Sequence, residues 1–145
     1  IVVCAYLAIK NLDDRQFKKA VLVLTTGMNI FLFISFVWPT GLNLREGIVY
    51  DLHTLSGNLL KFVQTVDTPK SVFPSMHVYV TLVLQYTLEM QKKLVPSWGI
   101  WVGRVLAVLI VLSTMFTKQH SVLDVSAAIV MFEVLAVVVE KIVKK

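Results

Sequence analysis

Residues 113–124 read STMFTKQHSVLD and form a polar segment between two long apolar runs. The second of these runs begins at Val122 and continues past Val139. The segment contains His120, with Asp124 four residues after it and a lysine two residues before it. Because charged groups are costly in a lipid bilayer, ionisable residues placed where two spans meet indicate a function.

The composition favours an integral membrane protein with a single domain. The chain has 145 residues, of which 57% are hydrophobic and 16% charged, whereas soluble domains carry about 25% charged residues. A soluble helical bundle does not explain run 98–115, in which Arg104 is the single charged residue. The net charge of +5 does not indicate nucleic-acid binding, because the basic residues lie at the ends of apolar runs. Cys4 is the only cysteine, which excludes an internal disulfide.

The hydropathy pattern predicts an all-α, polytopic transmembrane helical bundle in which residues 1–145 form one membrane-embedded domain. A spanning helix needs about 20 residues. Since the chain begins within an apolar run, we expect residues 1–9 to be the end of a helix that starts before Ile1. Complete spans are predicted at 20–38, 76–91, 98–117 and 120–139. Leucine and valine at helical spacing over 47–66 predict an amphipathic helix on the membrane surface or over the bundle.

Basic residues divide unequally between the two sides of this predicted bundle. One side carries nine of them, namely Lys10, Arg15, Lys18, Lys19, Lys92, Lys93, Lys141, Lys144 and Lys145. The other side carries four, namely Arg45, Lys61, Lys70 and Lys118. The positive-inside rule places the nine-residue side in the cytoplasm. We therefore expect a multi-pass protein, of the plasma membrane, with His77 and His120 together at the outer face.

The polar residues at that face are of the types that phosphate chemistry uses. A neutral imidazole is a nucleophile, and a carboxylate on its second nitrogen holds the required tautomer. If the last helix has begun by His120, Asp124 lies on the same helix face and can orient it. His77 could give a proton to a leaving group. Hydroxyl and ammonium groups suit an anion such as phosphate, and the candidates are Ser75, Ser113 and Lys118.

Each of these residues also has a plainer interpretation. His77 could be an interfacial polar residue, Asp124 a cap for its own helix, and Lys118 a side chain that reaches from a span end to water. The set of two histidines and one carboxylate could instead bind a metal ion. We rank the metal hypothesis below phosphate chemistry, because the surrounding polar residues are of the anion-binding kind.

Two motifs resemble those of a known family. Residues 74–77, PSMH, resemble the P-S-x-H motif of the type 2 phosphatidic acid phosphatase (lipid phosphate phosphatase) superfamily. Ser113, His120 and Asp124 match the spacing of its third motif, S-R-x-x-x-x-x-H-x-x-x-D. The resemblance extends over roughly residues 38–139. It implies a helical bundle like that of vanadium haloperoxidases and acid phosphatases.

The residues around the motifs are similar to the inositolphosphotransferase-like branch, whose relatives include inositol phosphorylceramide synthases. The similarity lies in DTP at 67–69 and KQH at 118–120. This resemblance implies hydrolysis or transfer of the phosphate group of a membrane lipid, without a metal or other cofactor. His120 would form a phosphohistidine, Asp124 would orient it, and His77 would protonate the leaving alcohol. Phosphate oxygens would be bound by Ser75 and Ser113.

The chain departs from the family pattern at positions that bind phosphate. Thr114 stands in place of the third-motif arginine, and Lys118 could supply that charge without the bidentate guanidinium geometry. Arg45 is the nearest candidate for the first-motif arginine, but Glu46 follows it where the family has proline. The first-motif lysine is replaced by Trp38, and the usual glycine of P-S-x-H is Met76.

Three functional hypotheses therefore remain open on the sequence. The first is a lipid phosphatase or phosphotransferase that uses water, inositol or another head group as acceptor. The second is a catalytically inactive lipid-binding or carrier protein on the same scaffold, and the third is a metal-dependent membrane hydrolase. All three have a lipid bilayer and a membrane lipid as partners, and none involves nucleic acid.

Overall fold

A computed structural model describes residues 12–41, 48–66 and 73–144 of the chain. These residues form five α-helices and no β-strand. The helices are α1 (Asp14–Val37), α2 (Leu55–Val66), α3 (Met76–Met90), α4 (Ser97–Phe116) and α5 (Val122–Lys144). The all-α prediction is thereby confirmed for this part of the chain. The predicted partial span at 1–9 lies outside it.

Helix α3 occupies the centre of the bundle, where it packs against α1, α4 and α5, while α1 also packs against α5. Tyr79 of α3 is fully buried, and its hydroxyl donates a hydrogen bond to the carbonyl of Val23 at 2.5 Å. A Cβ added at Gly27 would overlap the Tyr79 ring, so glycine allows α1 and α3 to approach closely. The core consists of Val23, Val78, Tyr79, Val83, Val125, Ala128, Phe132 and Val139.

Three of the helices are long and apolar enough to cross a membrane, namely α1, α4 and residues 122–143 of α5. Their outer surfaces carry large apolar side chains, among them Phe36 at 88% and Phe116 at 81% exposure. Such surfaces are unfavourable in water and favourable in lipid. The chain is therefore a membrane protein with several spans. Helix α3 has 15 residues, about 22 Å, which is shorter than the roughly 30 Å hydrocarbon core.

Capping residues move two helix starts away from the positions that hydropathy predicts. α1 begins at Asp14 rather than at residue 20, and the Asp13 N–H donates to Oε1 of Gln16, three residues on. The charged residues at positions 14–19, which the hydropathy pattern predicted to be part of a loop, therefore lie in the first turns of this helix. α2 begins at Leu55 rather than 47, because the hydroxyl of Thr54 accepts from the Gly57 N–H at 3.1 Å.

The bounds of the other helices lie closer to the prediction. α3 and α4 each start and end within one residue of the expected 76–91 and 98–117. α5 starts two residues after the expected position 120 and continues to Lys144 instead of 139. The extension beyond 139 carries Glu140 and Lys141, charged residues that a helix accommodates once it has left the apolar layer.

Candidate active site

The polar segment 113–124 begins with the end of α4, which closes in a Schellman arrangement. The Gln119 N–H donates to the Thr114 carbonyl at 3.0 Å, and the Lys118 N–H donates to the Met115 carbonyl at 3.0 Å. Lys118 has φ 54° and occupies the left-handed position that glycine usually takes. The His120 N–H also reaches the Thr114 carbonyl, at 3.2 Å. The loop after α4 is therefore folded tightly against the last turn of that helix.

The same segment ends with the capped start of α5. The Ser121 hydroxyl accepts from the Asp124 N–H at 3.3 Å, and Oδ2 of Asp124 accepts from the Ser121 N–H at 2.7 Å. This reciprocal pair stabilises the helix start. His120 therefore lies just before α5 and not in its first turn. The expectation that His120 and Asp124 share one face of the same helix required the helix to begin by His120, and this condition is not met. The capping role weighed for Asp124 is present in the structure.

The start of α3 lies against the start of α5. Ser75 is fully buried, and its hydroxyl accepts from the Val78 N–H at 3.4 Å, as expected for the residue before a helix. The Ser75 N–H donates to the carbonyl of Asp124 at 3.1 Å, which joins the two helix starts directly. His77 lies in the first turn of α3 and is exposed. A cis peptide bond links Phe73 and Pro74 just before this helix.

The three helix ends bring His77, His120 and Asp124 together. Nδ1 of His77 lies 3.4 Å from Nε2 of His120, and the ring centroids are 5.6 Å apart with a 58° tilt. Nδ1 of His120 lies 4.0 Å from Oδ2 of Asp124. His120 and Asp124 are only 7% and 6% exposed, in contrast to His77. The inner histidine thus has an imidazole at one nitrogen and a carboxylate near the other.

This geometry bears on the metal hypothesis. His77 and Asp124 approach opposite nitrogens of the His120 ring, so the three donor groups do not converge on one point. In residues 12–41, 48–66 and 73–144 there is no group of three histidine, cysteine or acidic residues arranged to hold a metal ion. As they stand, these side chains suit proton transfer and nucleophilic attack better than coordination.

The residues predicted to bind phosphate lie in different settings. Ser113 is exposed, and its hydroxyl donates to the Ile110 carbonyl at 2.8 Å within its own helix. Lys118 is exposed in the loop before His120, and Ser75 is buried behind His77. Arg45, the candidate for the first motif, lies outside the described residues. To donate to a phosphate, the Ser113 hydroxyl has to release the Ile110 carbonyl, whereas the Ser75 hydroxyl accepts in its present bond and keeps its own proton to donate.

Sequence reasoning assigned no role to two further residues at the site. Thr114 is 3% exposed, and its hydroxyl donates to the Val111 carbonyl, so the family's arginine position holds a buried neutral side chain. Gln64 of α2 is 8% exposed, and its Nε2 donates to the carbonyl of Thr117 at 2.8 Å. In the sequence Gln64 is one of several polar residues that occupy the other positions of the amphipathic pattern in 47–66, so no local signal marks it as a contact residue.

Comparison of the chain with models of known protein families, with curated proteins and with solved structures finds no match. The resemblance to the type 2 phosphatidic acid phosphatase superfamily is therefore carried by the two motifs and their spacing. A function for this chain is therefore inferred from the geometry of His77, His120 and Asp124 and from the apolar helices beside them.

Proposed function

We propose that this chain is an integral membrane enzyme that hydrolyses or transfers the phosphate group of a lipid phosphate through a phosphohistidine intermediate. The observation that carries the proposal is the 3.4 Å approach of His77 Nδ1 to His120 Nε2, with Asp124 at the other nitrogen of His120. A nucleophile, an acid and an orienting carboxylate are thus supplied by three separate helix ends. The same three residues match motifs of the type 2 phosphatidic acid phosphatase superfamily.

In the first step, Nε2 of His120 attacks the phosphorus of the lipid phosphate. The P–N bond forms as the bond from phosphorus to the lipid oxygen breaks. His77, protonated, donates its proton to that oxygen, so the lipid alcohol leaves as a neutral group. Nδ1 of His120 keeps its proton and faces Asp124, whose carboxylate stabilises the positive charge on the phosphorylated ring.

In the second step, His77 is neutral and accepts a proton from water or from an acceptor alcohol. The oxygen attacks phosphorus, the P–N bond breaks, and its electron pair returns to Nε2 of His120. Water as acceptor makes the enzyme a phosphatase, and the hydroxyl of inositol or another head group makes it a phosphotransferase. His77 is exposed, so its ring can turn outward to admit the phosphoryl group between the two imidazoles.

Positive potential at the site supports binding of a phosphate. The N-termini of α3 and α5 meet through the Ser75 N–H and the Asp124 carbonyl, and helix N-termini favour anions. Lys118 adds a full positive charge in the adjoining loop. Arg45 is a further candidate by its resemblance to the first-motif arginine alone, since it lies outside the described residues. Together with the serines of the two motifs, these groups are our candidates for phosphate binding.

We further propose that the site faces the outside of the plasma membrane. The opposite end of the bundle contains the start of α1 and the end of α5, and the ion pair between Lys19 and Glu140 joins them at 2.6 Å. That end also carries most of the basic residues of the chain, as expected for the cytoplasmic side. The sidedness supports a substrate drawn from the outer leaflet.

One observation favours the alternative of a catalytically inactive lipid-binding or carrier protein. Thr114 replaces the family's arginine, and its buried hydroxyl is bonded within α4, so it offers neither charge nor a donor to phosphate. A protein of this kind would bind lipid phosphate equally well without His120 and would show no turnover.

The deciding experiment compares His120→Ala with wild-type protein, both purified in nanodiscs that contain lipid phosphates and candidate acceptors. The nucleophile assignment predicts a loss of turnover of at least about 10³-fold for His120→Ala, and an acid-labile, alkali-stable phosphate on the quenched wild-type protein. His53→Ala is the matched control, because His53 is the only other histidine and lies before α2. Full activity of His120→Ala would rule the proposal out. Loss of wild-type activity in EDTA would instead favour a metal-dependent hydrolase.

A further inference from the structure

Helix α2 presents three chemically different sides. An apolar stripe is 54–78% exposed and consists of Leu55, Leu59, Phe62 and Val66. A polar flank consists of the exposed residues Asn58, Lys61 and Thr65. Gln64 is buried and, at about 100° per residue, lies on the side of the helix opposite the stripe. The helix therefore turns its apolar side away from the protein and its buried amide toward it.

The contact made by Gln64 fixes the level of α2 in the membrane. Its Nε2 donates to the carbonyl of Thr117, the residue that follows the last turn of the spanning helix α4. α2 therefore lies where α4 leaves the hydrocarbon layer. At this level an outward apolar stripe beside a polar flank matches a helix in the plane of the membrane, with the stripe in the acyl boundary and the flank in the head groups. Lipid is therefore the occupant that this arrangement favours.

Gln64 is bonded on both sides of its amide. Besides the bond to Thr117, its Oε1 accepts from the Tyr50 hydroxyl at 2.6 Å. The Thr117 hydroxyl donates to the Ser113 carbonyl at 2.7 Å and also lies 3.0 Å from Oε1 of Gln119, next to His120. A buried amide that bridges two segments constrains both, since losing one bond leaves a desolvated polar group. The chain of contacts runs from α2 to the residue before the candidate nucleophile.

We propose that Gln64 is a positioning residue that couples the lipid-embedded helix α2 to loop 117–121, and so holds His120 at its distance from His77. The inference rests on the proposed function, in which His120 is the nucleophile. It adds that the geometry of the reacting histidine depends on α2 being seated in the lipid layer.

The first experiment measures turnover of a lipid phosphate in nanodiscs by Gln64→Glu and Gln64→Leu. An ionised glutamate keeps the acceptor for Tyr50 but cannot donate to the Thr117 carbonyl, and leucine can do neither. Above the pKa of the introduced carboxyl, both variants should therefore lose about tenfold in kcat with KM within about twofold of wild type. Gln16→Leu is the matched control. Its glutamine makes the same kind of bond, from Nε2 to the Met90 carbonyl at 2.9 Å, at the opposite end of the bundle. This control should keep the wild-type kcat.

The second measurement is hydrogen exchange at the amides of Lys118, Gln119 and His120, which are bonded to the end of α4. Gln64→Leu should raise their exchange rates by about tenfold, and Gln16→Leu should leave them unchanged. Unchanged exchange in Gln64→Leu overturns the coupling whatever the activity shows. If wild-type protein has no turnover, the proposed function fails, while faster exchange in Gln64→Leu alone still supports the coupling.

The lipid contact of α2 is tested with spin labels at Phe62→Cys and, as a matched neighbour on the polar flank, Lys61→Cys, each in a Cys4→Ser background. The label at 62 should be accessible to oxygen and protected from a water-soluble nickel reagent. The label at 61 should be accessible to the nickel reagent and less accessible to oxygen. Free access of the nickel reagent at 62 overturns the lipid assignment. Dipolar broadening between labels at 62 would do so as well, because it would place a second copy of the chain on the stripe.

Discussion

The two ends of the helical bundle are joined by polar contacts of different kinds. At the end where α1 begins, Lys19 and Glu140 form an ion pair between oppositely charged groups at 2.6 Å. At the other end, two imidazoles face each other, with His77 and His120 at 3.4 Å and Asp124 4.0 Å from the inner ring. The first contact is short and neutralises its charges. The second contains longer distances and groups that can each gain or lose a proton.

Under the proposed function, the difference separates a structural contact from a chemical one. Arg104 and Glu89 repeat the structural kind, with a 2.9 Å ion pair near the loop between α3 and α4. An ion pair of this kind joins two helices, and the Glu89 carboxylate accepts from Gln85 as well. A pair of histidines adds little to stability, because neither ring compensates the other's charge. Only His120 of the pair is buried, and the proposed function gives the pair a use, since contacts of this length shorten when a substrate binds.

Among variants that distinguish the two ends of the bundle, the largest effect is expected for His77→Ala. Loss of the general acid should slow release of a lipid alcohol by roughly 10²–10⁴-fold, because an alkoxide is a poor leaving group. Turnover of p-nitrophenyl phosphate should fall far less, since nitrophenolate leaves without a proton. The two substrates are compared under single-turnover conditions. An equal loss with both would assign His77 to binding rather than to proton transfer.

A smaller effect is expected when Lys118 is replaced by glycine or by alanine. Both variants lose the ammonium group, so both should lose about tenfold in kcat/KM for a lipid phosphate. Glycine also relieves the left-handed backbone at φ 54°, so Lys118→Gly should be more stable than Lys118→Ala by about 1 kcal/mol. Thermal unfolding in detergent measures the second difference. Wild-type kcat/KM in both variants would remove Lys118 from the phosphate site.

The smallest effect on turnover is expected at the opposite end, for Lys19→Met. The methionine keeps much of the side-chain volume and removes the partner of Glu140, which should lower stability by about 1 kcal/mol. Turnover should stay within about twofold of wild type, because the ion pair lies at the end of α5 remote from His120. A large loss of turnover in this variant would mean that the two ends are coupled through α5.

Particular residues show why parts of the structure could be predicted. The helices α3 and α4 were predicted within one residue at each end, since apolar runs bounded by polar loops mark where a helix lies, but α3 is too short for the span that was predicted there. The start of α1 was predicted six residues too late, at residue 20 rather than Asp14. Hydropathy treats charged residues as loop, whereas a capped helix continues into water. The start of α5 at Val122 was likewise decided by the hydrogen bonds of Ser121.

The candidate site also contains residues that the sequence identified and residues that it did not. Motif spacing singled out His77, His120 and Asp124, because the chemical type of a residue and its place at a span end are local properties. The roles of Gln64 and Thr114 could not be read in this way. Gln64 reaches the carbonyl of a residue 53 positions away, and no pattern within α2 specifies that partner. The burial of Thr114 likewise depends on which face of α4 meets the rest of the bundle.

The sequence by itself determined that this is a helical membrane protein, which of its segments are apolar, and which ionisable residues lie at the ends of its spans. These follow from the composition and order of residues, since the cost of charge in lipid acts on each segment separately. Only the tertiary structure decided that the starts of α3 and α5 touch, that His77 and Asp124 approach opposite nitrogens of His120, and that α2 turns Gln64 inward. Those relations depend on how helices pack and cap one another, which no single segment encodes.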